Sequence, residues 1–104
     1  MQTLKEISRK VTPIADKHNL NAVYVFGSYA RGDATENSDI DLLIDRDQSN
    51  IRGMLGMIAF QRELEEALRS KIDVVTTRAM RQDSDDTDFL ETVEHEKRLV
   101  YERR

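Results

Sequence analysis

Apolar residues recur at helical spacing from the start of the chain. Leu4, Ile7, Val11 and Ile14 fall on one face, which predicts a mostly helical segment over residues 2–19. Pro13 interrupts the pattern, because proline inside a helix costs about 3 kcal/mol. Thr12 as an N-cap, with Pro13 at the first position of a second short helix, is the alternative. Residues 21–26, NAVYVF, are β-branched and aromatic and predict a strand that ends at Gly27-Ser28. A short helical turn over 28–31 and a polar loop over 32–38 follow. Residues 39–44, DIDLLI, predict a second strand. Asn50 is placed to cap a helix over 51–69 with Met54, Met57, Ile58, Leu64 and Leu68 as its apolar stripe, and the methionines are expected in the core. Residues 71–77, KIDVVTT, predict a third strand, and a last helix is expected near 87–97 with Leu90, Val93 and Val100 facing inward.

The order helix, strand, strand, helix, strand, helix predicts an α/β (α+β) fold: a small mixed β-sheet of three or four strands with helices packed on one face. The short link between the first two strands favours an antiparallel pair, and the helix between the second and third allows a crossover. At 104 residues there is room for one domain, expected to span 1–104, with one modest core. The chain is 35% charged, with no apolar run near the roughly 18 residues that cross a bilayer, so no membrane association is expected. The first residues, MQTLKEISRK, lack an apolar leader segment. The absence of cysteine excludes disulfides and thiolate metal sites, and a cytoplasmic location is the expectation. The net charge of -4 announces no nucleic-acid binder, and no direct nucleic-acid contact is expected.

Chemistry concentrates between Phe26 and Asp45, FGSYARGDATENSDIDLLID. Gly27 lets the backbone approach a ligand, and the helical turn after it would point free N–H groups, with the Ser28 hydroxyl, at a phosphate. Alone, a Gly-Ser pair at a strand end is mostly a plain turn. Asp39 and Asp41 alternate onto one face of a strand, where two carboxylates repel unless a cation or solvent relieves them. Alone, Asp-x-Asp is mostly a solvated face. Asp73 stands between apolar neighbours in the third strand and converges on the other two if strands two and three are adjacent. Three carboxylates would then hold two divalent ions. There is no G-x-x-x-x-G-K-[ST] and no H-E-x-x-H, and His18 and His95 read as surface residues of helices. Residues 83–94 carry acids at calcium-loop offsets, but Asp88 stands where the sharp turn needs glycine, so the run is read as the start of the last helix.

The combination is more specific than its parts. Gly-Ser, ten residues, Asp-x-Asp in a strand, a helix, then a strand with Asp resembles the DNA polymerase β-like nucleotidyltransferase superfamily, and GSYARGDATENSDIDLLID with LRSKIDVVT resembles its MNT (minimal nucleotidyltransferase) family. The resemblance implies that Gly27 and Ser28 hold a triphosphate, that Asp39 and Asp41 ligate Mg2+, two ions in the family pattern, and that Asp73 completes the metal site and acts as base toward the acceptor hydroxyl. It leaves Arg31 open between phosphate contact and surface ion pair, and it gives Ser38 a capping role in the Asp39 loop. It further implies ATP as substrate and a HEPN-type ribonuclease toxin as partner, with AMP transferred to a tyrosine of that toxin by the MNT chain as antitoxin. Neutralisation by binding alone and nucleotidylation of a small molecule are the alternatives.

Overall fold

The computed structural model describes residues 2–83 and 87–103, and only the backbone of residues 82, 83 and 87–89. The elements are α1 (Leu4–Lys17), β1 (Ala22–Phe26), α2 (Ser28–Arg31), β2 (Ile40–Asp45), α3 (Gly53–Leu68), β3 (Ile72–Thr76), α4 (Thr77–Asp83), α5 (Thr87–Glu96) and β4 (Arg98–Glu102). The acidic stretch that resembles a calcium loop lies partly outside the described residues.

Helix α1 is continuous through Pro13, so the two-helix alternative does not hold. Thr3 and Glu6 close a reciprocal capping box at its start. Pro13 sits on the exposed side, while Ile7, Val11, Ile14 and Ala15 are buried. Each large aliphatic buried there contributes about 1.5–3 kcal/mol, so together they outweigh the interior proline. Thr12 donates its hydroxyl to the Ser8 carbonyl at 2.7 Å instead of opening a new helix.

The four strands run in the order β3-β2-β1-β4. β1 is antiparallel to both β2 and β4, and β2 is parallel to β3 through the α3 crossover. Val23, Val25, Ile40, Leu42 and Ile44 point to one face and join Ile7, Val11, Phe60, Leu64 and Leu68 in a single core, so the two long helices α1 and α3 cover that face. The opposite face carries Asp41, Leu43 and Asp45 in alternation. There Tyr24 and Leu43 border a small cavity with Met80, Leu90 and Val93, so α4 and α5 shelter part of this second face.

Two expectations are corrected. Asn50 does not cap α3: the N-cap is Arg52, which makes no side-chain cap bond. The α3 stripe is also rotated. Phe60 is 0% exposed, whereas Met54 is 80% and Leu55 82% exposed, and only Met57 of the two methionines packs against the core. Six residues separate Met54 from Phe60, which at 100° each leaves them about 120° apart around the helix. Strand β4 is an addition: Val100 belongs to it rather than to the last helix. The pairing with β1 slips between Val23 and Tyr24, so Val100 and Tyr101 are both buried and the alternation that would reveal a strand is lost.

Substituting Phe60→Ala is expected to lower the unfolding free energy by about 3–5 kcal/mol. Met54→Ala, on the same helix, is expected to change it by less than about 0.5 kcal/mol. Urea unfolding of the two variants checks which face of α3 is buried.

Candidate active site

β1 ends at Phe26, and the chain must turn at once into α2. Gly27 makes that turn at φ 71°, ψ -150°, a region open essentially to glycine alone. Its carbonyl accepts from the amides of Ala30 and Arg31 at 3.1 and 3.0 Å, which closes the first turn of α2. A Cβ on Gly27 would stand 2.4 Å from Oδ2 of Asp41, so the glycine is required by the carboxylate as well as by the backbone. The antiparallel register explains the contact, because Phe26 pairs with Asp41 across the β1–β2 ladder.

On the other side, Asp41 pairs with Asp73 in the parallel β2–β3 ladder. Directly paired residues project to the same face of a sheet whose strands lie about 4.8 Å apart. Asp39 lies two residues before Asp41, just outside β2, and acts on it electrostatically. Burial first, then the Asp73 and Asp39 charges, push the Asp41 carboxyl above the usual carboxylate range, while Arg31 pulls it down. Asp41 is therefore a half-buried acid whose ionised form Arg31 compensates only in part, and a hard divalent ion would add to that compensation. Among the described residues no three acidic or imidazole side chains are already gathered around one point. Mg2+ takes one or two carboxylates and leaves its other positions to water and substrate phosphates. The donor set of Asp41 and Asp73, with Asp39 beside them, fits such an ion.

Arg31 lies at the end of α2 in two exposed ion pairs, Nε to Asp33 at 3.2 Å and Nη1 to Glu96 at 3.3 Å. Glu96 is 65 positions away in sequence, at the end of α5, and nothing in the residue pattern pointed to it. Ser38 closes the turn before Asp39, accepting from the Thr35 amide at 2.9 Å while its own amide bonds the Thr35 carbonyl. His18 is structural: its Nε2 lies 2.8 Å from Glu63, and its ring packs edge-on against Phe60.

A glycine turn thus lies against one aspartate of a strand, with a second aspartate in register on the neighbouring parallel strand. The chain belongs to the polymerase β nucleotidyltransferase family, whose model matches residues 9–104. MJ0435 of Methanocaldococcus jannaschii is 40% identical over 73 residues, 70% of this chain and 76% of that protein. The protein adenylyltransferase MntA of Thermococcus cleftensis is 35% identical over 79 residues, 72% of this chain and 78% of that protein. Among solved structures, a toxin-antitoxin crystal structure with AMP-PNP has the same fold, with a TM-score of 0.70 at 23% identity over 93% of this chain and 74% of that one. So does a complex of tri-AMPylated Shewanella oneidensis HEPN toxin with MNT antitoxin, with a TM-score of 0.65 at 19% identity over 97% of this chain and 74% of that one.

The raised Asp41 value fixes a sign. Protonation favours the folded state, so this group's contribution to stability is fully present below the unfolded carboxylate range and is lost as pH rises through the folded value. Asp41→Asn is expected to remove that loss and to raise the metal-free melting temperature at neutral pH by a few degrees, on a scale of about 4–8 °C per kcal/mol for a domain near this size. A calorimetric pH series on both proteins checks it; an unchanged or lower melting temperature for Asp41→Asn refutes the charge strain. Gly27→Ala is expected to cost about 1–3 kcal/mol in strain and to displace the Asp41 carboxylate, readable from thermal unfolding and from the amide NMR shift of Asp41.

Proposed function

We propose that this chain transfers AMP from ATP to a hydroxyl group, with a tyrosine of a HEPN-type toxin as acceptor, and so acts as a protein-adenylylating antitoxin. The observation that carries this reading is the Asp41–Asp73 pair in register beside Gly27. The acceptor class is supported by the relatives: one is named protein adenylyltransferase MntA, and one structural neighbour comes from a complex of a tri-AMPylated HEPN toxin with MNT antitoxin. Among the described residues no helix is long and apolar enough to cross a membrane.

In this reading the first amides of α2, left without intrahelical acceptors, and the Ser28 hydroxyl receive the triphosphate. Asp39, Asp41 and Asp73 would hold Mg2+, which offsets negative charge on the phosphates when bound. Asp73 accepts the acceptor hydroxyl's proton; the freed oxygen bonds the α-phosphorus, the bond from that phosphorus to the β-phosphate oxygen breaks, and pyrophosphate leaves. Alignment of acceptor and phosphate by the rigid β2–β3 ladder is the fold's contribution. Arg31, within electrostatic reach of Asp41, turns to the phosphates by exchanging its exposed pairs with Asp33 and Glu96.

A second reading, neutralisation by binding alone, draws on the exposed Met54, Leu55 and Ile58 of α3, an apolar patch available to a partner. Asp73→Asn is expected to slow AMP transfer to a co-expressed HEPN-domain partner by about 10²–10⁴-fold, followed by intact-mass spectrometry of the partner. An unchanged transfer rate removes Asp73 from the chemistry. Neutralisation that survives Asp39→Asn with Asp41→Asn, with no adduct formed, establishes the binding reading instead.

A further inference from the structure

A cavity of about 650 Å3 opens at the far end of β2, between the β2–α3 connection and the β3–α4 junction. Its rim at Arg46 lies five residues along β2 from Asp41, about 16 Å at 3.3 Å per residue, so it is separate from the acidic site. Three guanidinium side chains line it, those of Arg46, Arg52 and Arg78, against one carboxylate, Asp47, 3.8 Å from Arg78. Arg46 Nη1 is shut off from solvent without a hydrogen-bond acceptor, a condition no other side-chain atom among the described residues shares. A buried charged donor is costly to leave unbonded.

Gly53, also in the lining, begins the 16-residue helix α3. The N-cap, Arg52, makes no side-chain cap bond, and the first turn contains no acidic residue. The first intrahelical bond is from the Gly56 amide to the Arg52 carbonyl, so the amides of Gly53, Met54 and Leu55 precede the helical ladder. Apart from its chain neighbours and the helix's own backbone, no heavy atom among the described residues lies within 4 Å of the Cβ position at Gly53, which leaves its backbone open to approach. The cavity thus gathers three arginines, one of which carries an unmade buried donor, and an uncapped helix start around one acidic group.

We infer that this cavity is a binding site for a phosphate-bearing anion, distinct from the Gly27-Ser28 turn and independent of the transferase reading. Guanidinium forks match phosphate oxygens in pairs, and the helix start adds aligned N–H donors. The excess of two positive charges in the lining suits a compact dianion. The chain's net charge of -4 disfavours a long polyanion laid across the surface, so a free phosphate or pyrophosphate is the favoured form.

The test follows amide NMR shifts of the purified chain during titration with inorganic phosphate and with pyrophosphate, at constant ionic strength and without divalent cations. Saturable shifts at Gly53, Met54 and Leu55 are expected, with Arg46→Met and Arg78→Gln each weakening the apparent affinity by about tenfold or more. Arg78 is largely exposed, so Arg78→Gln keeps the test valid even where Arg46→Met fails to fold. Shifts confined to Gly27, Ser28 and their neighbours overturn the site, as do shifts that chloride reproduces or an affinity unchanged in both variants. Displacement by a short oligothymidylate would assign the phosphate to a nucleic-acid strand, and no displacement assigns it to a small free anion; the site stands in either case.

Discussion

The Asp41 carboxylate lies between two backbones that leave it little freedom. β1 turns away at Gly27 so tightly that a methyl group there would overlap Oδ2, and β3 places Asp73 directly alongside. Neither neighbour neutralises it. A carboxylate half-removed from water beside two others is a local destabilisation, and the surrounding sheet has to be stable enough to hold it in place. The sheet meets that need by separating its faces. Ile40, Leu42 and Ile44 are fully buried beneath α1 and α3, while Asp41 and Asp45 project with Leu43 from the other face. A strand with strict alternation can bear both burdens because its side chains never share a face.

Strand order makes this alternation useful. Had β3 paired at the β1 edge, Asp73 would lie two strands from Asp41. The α3 crossover places β3 beside β2 and parallel to it, so a single register relation, Asp41 opposite Asp73, determines the geometry of the acidic pair. A slip of one residue would turn Asp73 into the core and Ile72 or Val74 out of it, both of which pack on the core face. Hydrophobic burial on one face thereby fixes the carboxylate geometry on the other.

Much of this was legible in the residue pattern. The strands through Val23, Leu42 and Val74 and the three longer helices follow from periodicity and composition, and the acid-bearing segment is recognisable because Gly27, Ser28, Asp39 and Asp41 are close in sequence. What escaped depends on partners distant in the chain or on broken periodicity. Pro13 is tolerated only because Ile7, Val11 and Ile14 have a sheet to pack on. Phe60 could not be told from Met54 as the buried residue of α3 without knowing how the helix is rotated about its axis. β4 hides behind its bulge, with Val100 and Tyr101 adjacent and both inward. The Arg31–Glu96 pair spans most of the chain and leaves no local trace.

Charge along β2 completes the picture. Acids gather where the strand begins, and arginines gather where it ends, in Arg46 and the residues that face it from α3 and α4. The separation of about 16 Å along the strand exceeds the screening length of about 8 Å at physiological salt. Across solvent, therefore, each end acts on its own ligand with little influence from the other. Coupling between the ends would have to pass through the packed strand itself, where Ile40, Leu42 and Ile44 are fixed between two helices and two neighbouring strands. A rigid element of that kind has no second arrangement to offer, so two ligands bound at its ends would act additively rather than as a switch.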